Sequence, residues 1–150
     1  MDKPFISPYL HLKEIPEIGG WGVFTKEDIP ENTIIEISPV ILFPTDLLNM
    51  GIYCARAEGY KDKDLQLDQY IVSWFNPIGA EYIKSAMMTG LCPMYNHSDN
   101  NNARLTTDYT DRLMGIITIR PVNKGEQLTI NYGPDWFERK KDYILNPVNF

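Results

Sequence analysis

The feature that most limits the fold of this chain is the frequency of its turn formers. The 150 residues include 11 prolines and 10 glycines, and both residue types interrupt regular secondary structure. The runs between them are short and rich in β-branched and aromatic residues, which favour strands. We therefore predict a mainly β fold of several small sheets with short helices. Strands are predicted at residues 5–12, 18–24, 33–43, 69–75, 103–107 and 113–120.

Two short helices are predicted in addition to the strands. Residues 81–89 are compatible with one of them, and residues 135–145 space their apolar side chains on one helix face. Asp135 is placed to cap the start of the second helix. A chain of this length can bury a core as one unit. We therefore predict a single domain over residues 1–150, with a variable insert at about 44–90.

The charge balance limits the partners of the chain. A net charge of −6 at pH 7 disfavours direct binding to nucleic-acid phosphates and favours a basic peptide. No apolar run reaches the length of about 18 residues that a membrane span needs. The N-terminus also lacks the apolar stretch of a secretory signal. We expect a soluble intracellular protein.

No metal site is predicted. Cys54 and Cys92 are the only cysteines, and His11 and His97 the only histidines. Structural zinc takes closely spaced pairs of such ligands, and these four residues form no such pair. Two buried thiols without a disulfide are the simpler interpretation.

Three separated segments carry residues suited to ligand binding. Residues 19–24 form a glycine-rich turn around Trp21 that can approach a ligand closely, without the spacing of a phosphate loop. Residues 95–102 gather hydrogen-bonding side chains in a second turn. Residues 124–133 are a turn and an alternating strand that ends in Tyr132. Each segment taken alone is better explained by hairpin geometry, backbone hydrogen bonding or core packing.

Together, in this order and at this spacing, the three segments resemble the signature of SET-domain proteins. The matching elements are G-x-G-V-F at residues 20–24, N-H-S at 96–98 and G-E-x-L-T-I-x-Y-G at 125–133. The resemblance extends from about residue 18 to 139. It is closest to the minimal SET proteins of large DNA viruses and bacteria, which lack accessory zinc modules.

The resemblance implies a protein-lysine methyltransferase that uses S-adenosylmethionine and releases S-adenosylhomocysteine. In the family the G-x-G hairpin holds the methionine part of the cofactor, and the N-H pair holds its adenine end. The strand that ends in the catalytic tyrosine, here Tyr132, is threaded with the N-H segment in a knot-like arrangement. Carried over to this chain, the cofactor-binding residues are Gly20, Trp21, Gly22, Tyr70, Asn96 and His97.

The same resemblance implies a channel for the substrate lysine. A dry aromatic channel favours the neutral amine, whose pKa in water is about 10.4, and its faces tolerate a methylammonium product. Ile130 occupies a position where the family varies, and an aliphatic residue there leaves the number of added methyl groups open. Simple helix packing is the alternative for Trp136 and Phe137. The predicted channel residues are Tyr95, Leu105, Ile130, Trp136 and Phe137.

The turn at residues 96–102 also departs from the family pattern. Asp99 stands where the family usually has cysteine, and Asn101 stands where it usually has proline. This departure leaves open a catalytically inactive SET-fold scaffold. If the chain is an enzyme, a histone tail is the favoured substrate, because the acidic balance suits a basic peptide. Another basic protein is the alternative substrate, and a homodimer is also left open.

Overall fold

The computed structural model of the chain describes residues 3–59, 70–74 and 84–134. The chain divides into two compact units, each built from two separate stretches of sequence. Unit 1 comprises residues 1–41 and 88–131, and unit 2 comprises residues 42–87 and 132–150. The first two segments with ligand-binding chemistry therefore belong to unit 1, whereas the third begins in unit 1 and ends in unit 2.

Strands dominate the described secondary structure, and the mainly β prediction is confirmed. Every predicted strand region contains an observed strand, and the alternating stretch before Tyr132 is a strand as well. In chain order the described strands are β1 Phe5–Ile6, β2 Leu10–Ile15, β3 Gly20–Thr25, β4 Ile34–Pro44, β5 Ile71–Trp74, β6 Lys84–Met88, β7 Asn96–His97, β8 Ala103–Asp108, β9 Leu113–Thr118 and β10 Gln127–Ile130.

The helices differ from the prediction. Helix α1, Thr45–Ala57, is not among the predicted elements, because Gly51 in its middle weakens the local helix propensity. Asp46 lies in its first turn, where a negative charge favours the helix dipole. The predicted helix at 135–145 lies outside the described residues.

The predicted helix at residues 81–89 is wrong where the structure describes it. β6 pairs with β5 in antiparallel fashion, from Ile71 opposite Met87 to Trp74 opposite Lys84. Lysine, alanine and methionine favour helices in isolation, so here the tertiary pairing overrides local propensity. Trp74 and Ala86 are buried, and this hairpin supplies the described apolar core of unit 2.

The first sheet of unit 1 is built around β4. β1 and β9 each pair with β4, and β8 pairs with β9, in every case antiparallel. Glu36 and Ser38 lie on one face of β4, and Ile37 lies on the other, because successive side chains of a strand alternate. All three are buried. The middle of β4 is therefore covered on both faces, including the face that carries a charged residue.

The second sheet of unit 1 has the strand order β2–β3–β10–β7. β3 pairs antiparallel with both β2 and β10. β7 lies parallel to β10, with Asn96 opposite Thr129 and His97 opposite Ile130. A parallel pair requires a crossover between its strands, and the chain makes that crossover through β8 and β9. The parallel pairing is compatible with knot-like threading, which itself stays a prediction.

The two faces of this second sheet have different roles. Val23, Leu128 and Ile130 are buried on one face and form part of the core. The alternate positions of the same strands, Gly22 and Gln127 among them, lie on the opposite face. That second face carries the polar groups on which the candidate site depends.

Candidate active site

Gly22 occupies a position where an added side chain would force neighbouring side chains to move. A Cβ atom there would lie 2.6 Å from Gln127 Nε2, 2.7 Å from Ile15 Cδ1 and 3.0 Å from Asn96 Nδ2. The first two distances are below normal contact, and the third is tighter than almost all real contacts. Glycine is favoured here because β2, β7 and β10 all place side-chain ends against its backbone. A turn enters the strand just before, where Gly19 adopts a left-handed φ of 62°.

Asn96 joins two of the predicted motifs directly. Its Nδ2 donates a hydrogen bond of 3.0 Å to the backbone carbonyl of Trp21, across 75 positions of sequence. Within the described residues its Oδ1 makes no hydrogen bond, so this oxygen is available to a ligand. The structure thus brings the predicted cofactor residues Gly20, Trp21, Gly22 and Asn96 together where Asn96 of β7 reaches the start of β3, and we call this group the cofactor edge.

Trp21 contributes to this edge through its backbone. Its side chain is 52% exposed and points to the face opposite Gly22, because neighbouring strand residues alternate. The face of Gly22 carries Phe24, whose ring lies 6.1 Å from the His11 ring. The ammonium of Lys13 lies 5.3 Å above the same Phe24 ring, within cation–π range.

His97 lies next to Asn96 and interacts with the residue that departs from the family pattern. Its Nε2 lies 3.2 Å from Asp99 Oδ1, and the Asp99 side chain is 95% exposed. The contact favours the tautomer that carries its proton on Nε2. Asp99 therefore orients the imidazole from the solvent side of the turn.

Asn102, at the end of the same turn, is a structural residue that sequence reasoning did not single out. It is 1% exposed. Its Nδ2 donates to Gln127 O at 2.8 Å and to Glu126 Oε1 at 3.0 Å, and its Oδ1 accepts from Thr129 N at 2.9 Å. One amide thus holds the start of β10 in place. We call Asn102 together with Glu126 and Arg120 the Asn102 clasp.

Glu126 connects this clasp to the surface. Its Oε1 accepts from Arg120 at 2.7 Å, and its Oε2 accepts from the backbone N of Asn123 at 3.1 Å. Burial alone would raise the pKa of Glu126. The hydrogen bonds from Arg120, Asn123 and Asn102 outweigh it and hold the pKa below the ordinary 4.5. Glu126 is therefore ionised at neutral pH.

Glu36 is the second residue that sequence reasoning missed. Its side chain is fully buried, at 0% exposure. Oε1 accepts from Ser38 Oγ at 2.7 Å, Leu91 N at 2.7 Å and Cys92 N at 3.0 Å, and Oε2 accepts from Tyr95 Oη at 3.0 Å. The signal that could have found it is a glutamate in the middle of an Ile-Ile-Glu-Ile run. We call Glu36 and these four partners the Glu36 clasp.

Burial and the charge of Glu36 change the chemistry of its neighbours. Desolvation raises the pKa of the Cys92 thiol and of the Tyr95 phenol, and the nearby carboxylate raises both further. Both groups stay protonated at neutral pH. Cys92 is therefore an unreactive thiol, and Tyr95 donates a hydrogen bond to Glu36 Oε2.

In unit 2 the structure places Tyr70 close to Tyr132. Tyr132 is half-buried, and burial, followed by the charge of Tyr70, raises its pKa above the ordinary 10.0. The predicted catalytic phenol is therefore neutral at physiological pH. It can donate or accept a hydrogen bond, but it does not act as an ionised base.

The predicted channel residues occupy several environments. Ile130 and Tyr95 are buried in unit 1, with the Tyr95 hydroxyl on Glu36. Leu105 is half-buried on β8, opposite Ile116. Trp136 and Phe137 lie outside the described residues. The channel itself stays a prediction.

Two kinds of feature are absent from the described ranges. Among residues 3–59, 70–74 and 84–134, no three His, Cys, Asp or Glu side chains are grouped so that they could hold a metal ion. In the same part of the chain, no helix has the length and apolar character needed to cross a membrane.

The protein class follows from comparison of the sequence with known families. The SET-domain profile matches residues 20–133, which include both the G-W-G turn and Tyr132. The chain belongs to the SET-domain family of protein-lysine methyltransferases, whose methyl donor is S-adenosylmethionine. The family resemblance seen in the sequence is thereby confirmed, while the minimal viral or bacterial subtype stays a prediction.

Particular relatives agree with this class. The chain is 31% identical over 137 residues to an H3 lysine-37-specific histone-lysine N-methyltransferase of Schizosaccharomyces pombe, covering 90% of this chain and 81% of that protein. A candidate histone methyltransferase of Plasmodium falciparum has a similar fold, with a TM-score of 0.60 and 24% identity over 88% of this chain and 99% of that chain. The Neurospora SET-domain histone lysine methyltransferase DIM-5 gives a TM-score of 0.61 with 19% identity, covering 83% and 52% of the two chains. These two structures support the fold.

Proposed function

We propose that this chain transfers a methyl group from S-adenosylmethionine to a lysine side chain in a histone tail. The observation that carries the proposal is the 3.0 Å hydrogen bond from Asn96 Nδ2 to Trp21 O. It joins the two motifs that hold the cofactor in the family. The net charge of −6 favours a basic substrate, and the S. pombe relative is specific for a histone.

The residues of unit 1 fit the cofactor. Gly20, Trp21 and Gly22 present backbone groups at the start of β3, where Trp21 is exposed and Gly22 is buried, and Asn96 offers its amide oxygen beside them. His97, held by Asp99, supplies a further polar ring at the same edge. The donor set is neutral and suits a zwitterionic amino acid joined to a purine, whereas a phosphate chain would require cationic or helix N-terminal groups.

Tyr132 is proposed as the catalytic residue. Bound S-adenosylmethionine supplies an electrophilic methyl group on a sulfonium. A neutral, half-buried phenol can orient the lysine amine by hydrogen bonding and keep water away from it. Tyr70, close to Tyr132, is proposed to support this role. The attacking amine must be deprotonated, which partial desolvation favours.

The first prediction concerns catalysis. Tyr132→Phe removes only the hydroxyl and should lower methyl transfer to histone H3 by about 100-fold or more, while changing the calorimetric Kd for S-adenosylmethionine by less than about threefold. Labelled methyl transfer to mixed core histones measures the rate. Equal rates for the variant and the wild type would contradict the catalytic role. If the wild type binds no cofactor, the inactive scaffold is the better interpretation.

The second prediction concerns the cofactor edge. Gly22→Ala places a methyl against Asn96, Gln127 and Ile15, and should weaken S-adenosylmethionine binding about tenfold or more. Gly20→Ala is the matched control for stability, because its methyl meets only Ile18 at 3.8 Å. The unfolding free energy should fall more in Gly22→Ala than in Gly20→Ala. Unchanged calorimetric binding in Gly22→Ala would contradict the role of Gly22 in the cofactor site.

The substrate is tested separately from the chemistry. Labelled methyl on histone H3 that disappears when the target lysine is replaced by arginine supports the histone proposal. Label on a different basic protein, with histones unlabelled, would favour the non-histone alternative. Mass spectrometry of the product gives the number of methyl groups added.

A further inference from the structure

We infer that Glu36 is a positioning residue for cofactor binding, and that it acts by fixing the segment that carries Asn96. The inference rests on the proposed function, because it concerns the same cofactor edge. Glu36 itself lies in the interior, on β4, at 0% exposure. It acts on the edge only through the residues between Gly90 and Asn96.

The contacts of Glu36 hold that segment at both ends. Leu91 N and Cys92 N donate to Oε1 at 2.7 and 3.0 Å, and they begin the short 3₁₀ helix Cys92–Met94. Tyr95 Oη donates to Oε2 at 3.0 Å, directly after that helix. One carboxylate therefore fixes both the start and the exit of the turn.

Gly90 makes the close approach of this segment possible. Its φ of 65° is in the left-handed region, where glycine is favoured. A Cβ atom at this position would collide with the side chains of Ser38 and Glu36. The backbone can therefore approach Glu36 and Ser38 closely at Gly90, because glycine has no side chain.

Asn96 follows Tyr95 directly, so fixing Tyr95 limits where the Asn96 amide can lie. That amide has little freedom on its other side, because it lies 3.0 Å from Trp21 O and against the backbone of Gly22. Small shifts of Tyr95 would therefore lengthen the Asn96–Trp21 hydrogen bond. Glu36 is thus coupled to the cofactor edge through a single peptide link.

The chemistry of the clasp favours a carboxylate over an amide. The four hydrogen-bond partners of Glu36 in its clasp are all donors, which matches the acceptor oxygens of a carboxylate. Glutamine would keep one acceptor oxygen but would direct an NH₂ group at some of these donors. Glu36→Gln keeps the volume and removes the charge-assisted hydrogen bonds.

The experiment compares Glu36→Gln with Thr118→Val, in the full chain. Thr118 is also fully buried; its Oγ1 donates to Pro30 O at 2.7 Å and accepts from Thr33 N at 3.0 Å, and none of these residues belongs to the cofactor edge. The measurements are the Tm, the calorimetric Kd for S-adenosylmethionine, and the NMR shift of the Asn96 side-chain amide without cofactor. Kinetics with saturating histone give KM for the cofactor and kcat.

We expect Glu36→Gln to raise the cofactor Kd and KM about tenfold, to shift the Asn96 amide resonance, and to leave kcat within about threefold. Thr118→Val should lower the Tm without changing Kd or the Asn96 resonance. Tyr95→Phe removes only the hydrogen bond to Glu36 Oε2. It should change the cofactor Kd and the Asn96 resonance in the same direction as Glu36→Gln, but by a smaller amount.

If Glu36→Gln lowers the Tm but leaves both the Kd and the Asn96 resonance at wild-type values, the positioning role is overturned and the proposed function stands. If Thr118→Val changes the Kd and the Asn96 resonance as much as Glu36→Gln does, the effect is general destabilisation. The positioning role of Glu36 is then overturned as well. Absence of cofactor binding by the wild type would overturn the proposed function itself.

Discussion

The Glu36 clasp and the Asn102 clasp hold opposite ends of the segment that carries Asn96 and His97, and they do so differently. Glu36 is wholly buried and binds neutral donors. In the second clasp a buried neutral amide makes the central hydrogen bonds, and the carboxylate of Glu126 lies towards the surface. The side chains of Glu126 and Arg120 are 28% and 40% exposed.

The difference shows where each clasp derives its strength. A buried carboxylate has lost its hydration, so it depends entirely on its hydrogen-bond partners, and those partners depend on it. A half-exposed ion pair is screened by water and salt and contributes little. We therefore expect the first clasp to be sensitive to truncation and the second to depend mainly on Asn102.

The largest effect is expected for Glu36→Ala. The substitution leaves Leu91 N, Cys92 N and Tyr95 Oη without their acceptor, and should lower the free energy of unfolding by about 3–5 kcal/mol. Urea denaturation measures the change. Glu31→Ala, at an exposed glutamate, is the matched control and should change it by less than about 0.5 kcal/mol. A loss below about 1 kcal/mol in Glu36→Ala would mean that the clasp contributes little net stability.

Asn102→Ala should have the next largest effect, a loss of about 2–3 kcal/mol, because three hydrogen bonds of a buried amide disappear. At pH 7, Asn102→Asp should lower the free energy of unfolding more than Asn102→Ala does, since it would place a carboxylate against Gln127 O and Glu126. The difference in stability between Asn102→Asp and Asn102→Ala should become smaller as the pH falls and the carboxylates become protonated. The exposed Asn100→Ala is the control. If aspartate and alanine have equal effects at every pH, the amide donors are not the important part of the clasp.

Arg120→Gln should have the smallest effect, below about 1 kcal/mol at neutral pH. The folded pKa of Glu126 is lowered, so its contribution is present above the ordinary 4.5 and is lost as the pH falls through the lower folded value. The variant should therefore lose less stability than the wild type between pH 7 and acid. Lys124→Gln removes an exposed pair of 3.9 Å with Glu27 and serves as the control. Identical pH profiles for Arg120→Gln and the wild type would exclude a role for this pair.

Local pattern predicted the strands well but not every element. The β-branched density around Ile35 and Ile37 and the turn residues before β3 act over a few residues, so the sequence displays them directly. Residues 84–88 were misassigned because their helix propensity is local, whereas their pairing with β5 is not. In the site, the motif residues were visible from spacing and family resemblance, while Glu36 and Asn102 were not.

The sequence by itself determined the chemistry of the candidate site: glycine at position 22, an amide at Asn96 and a phenol at Tyr132. Only the tertiary structure decided that Glu36 lies in the interior. Alternation along β4 places Glu36 on the face opposite Ile37, but it does not say whether that face meets water or protein. That outcome depends on Leu91–Tyr95, more than 50 positions away, and contacts at such separations are fixed by the packing of the whole unit.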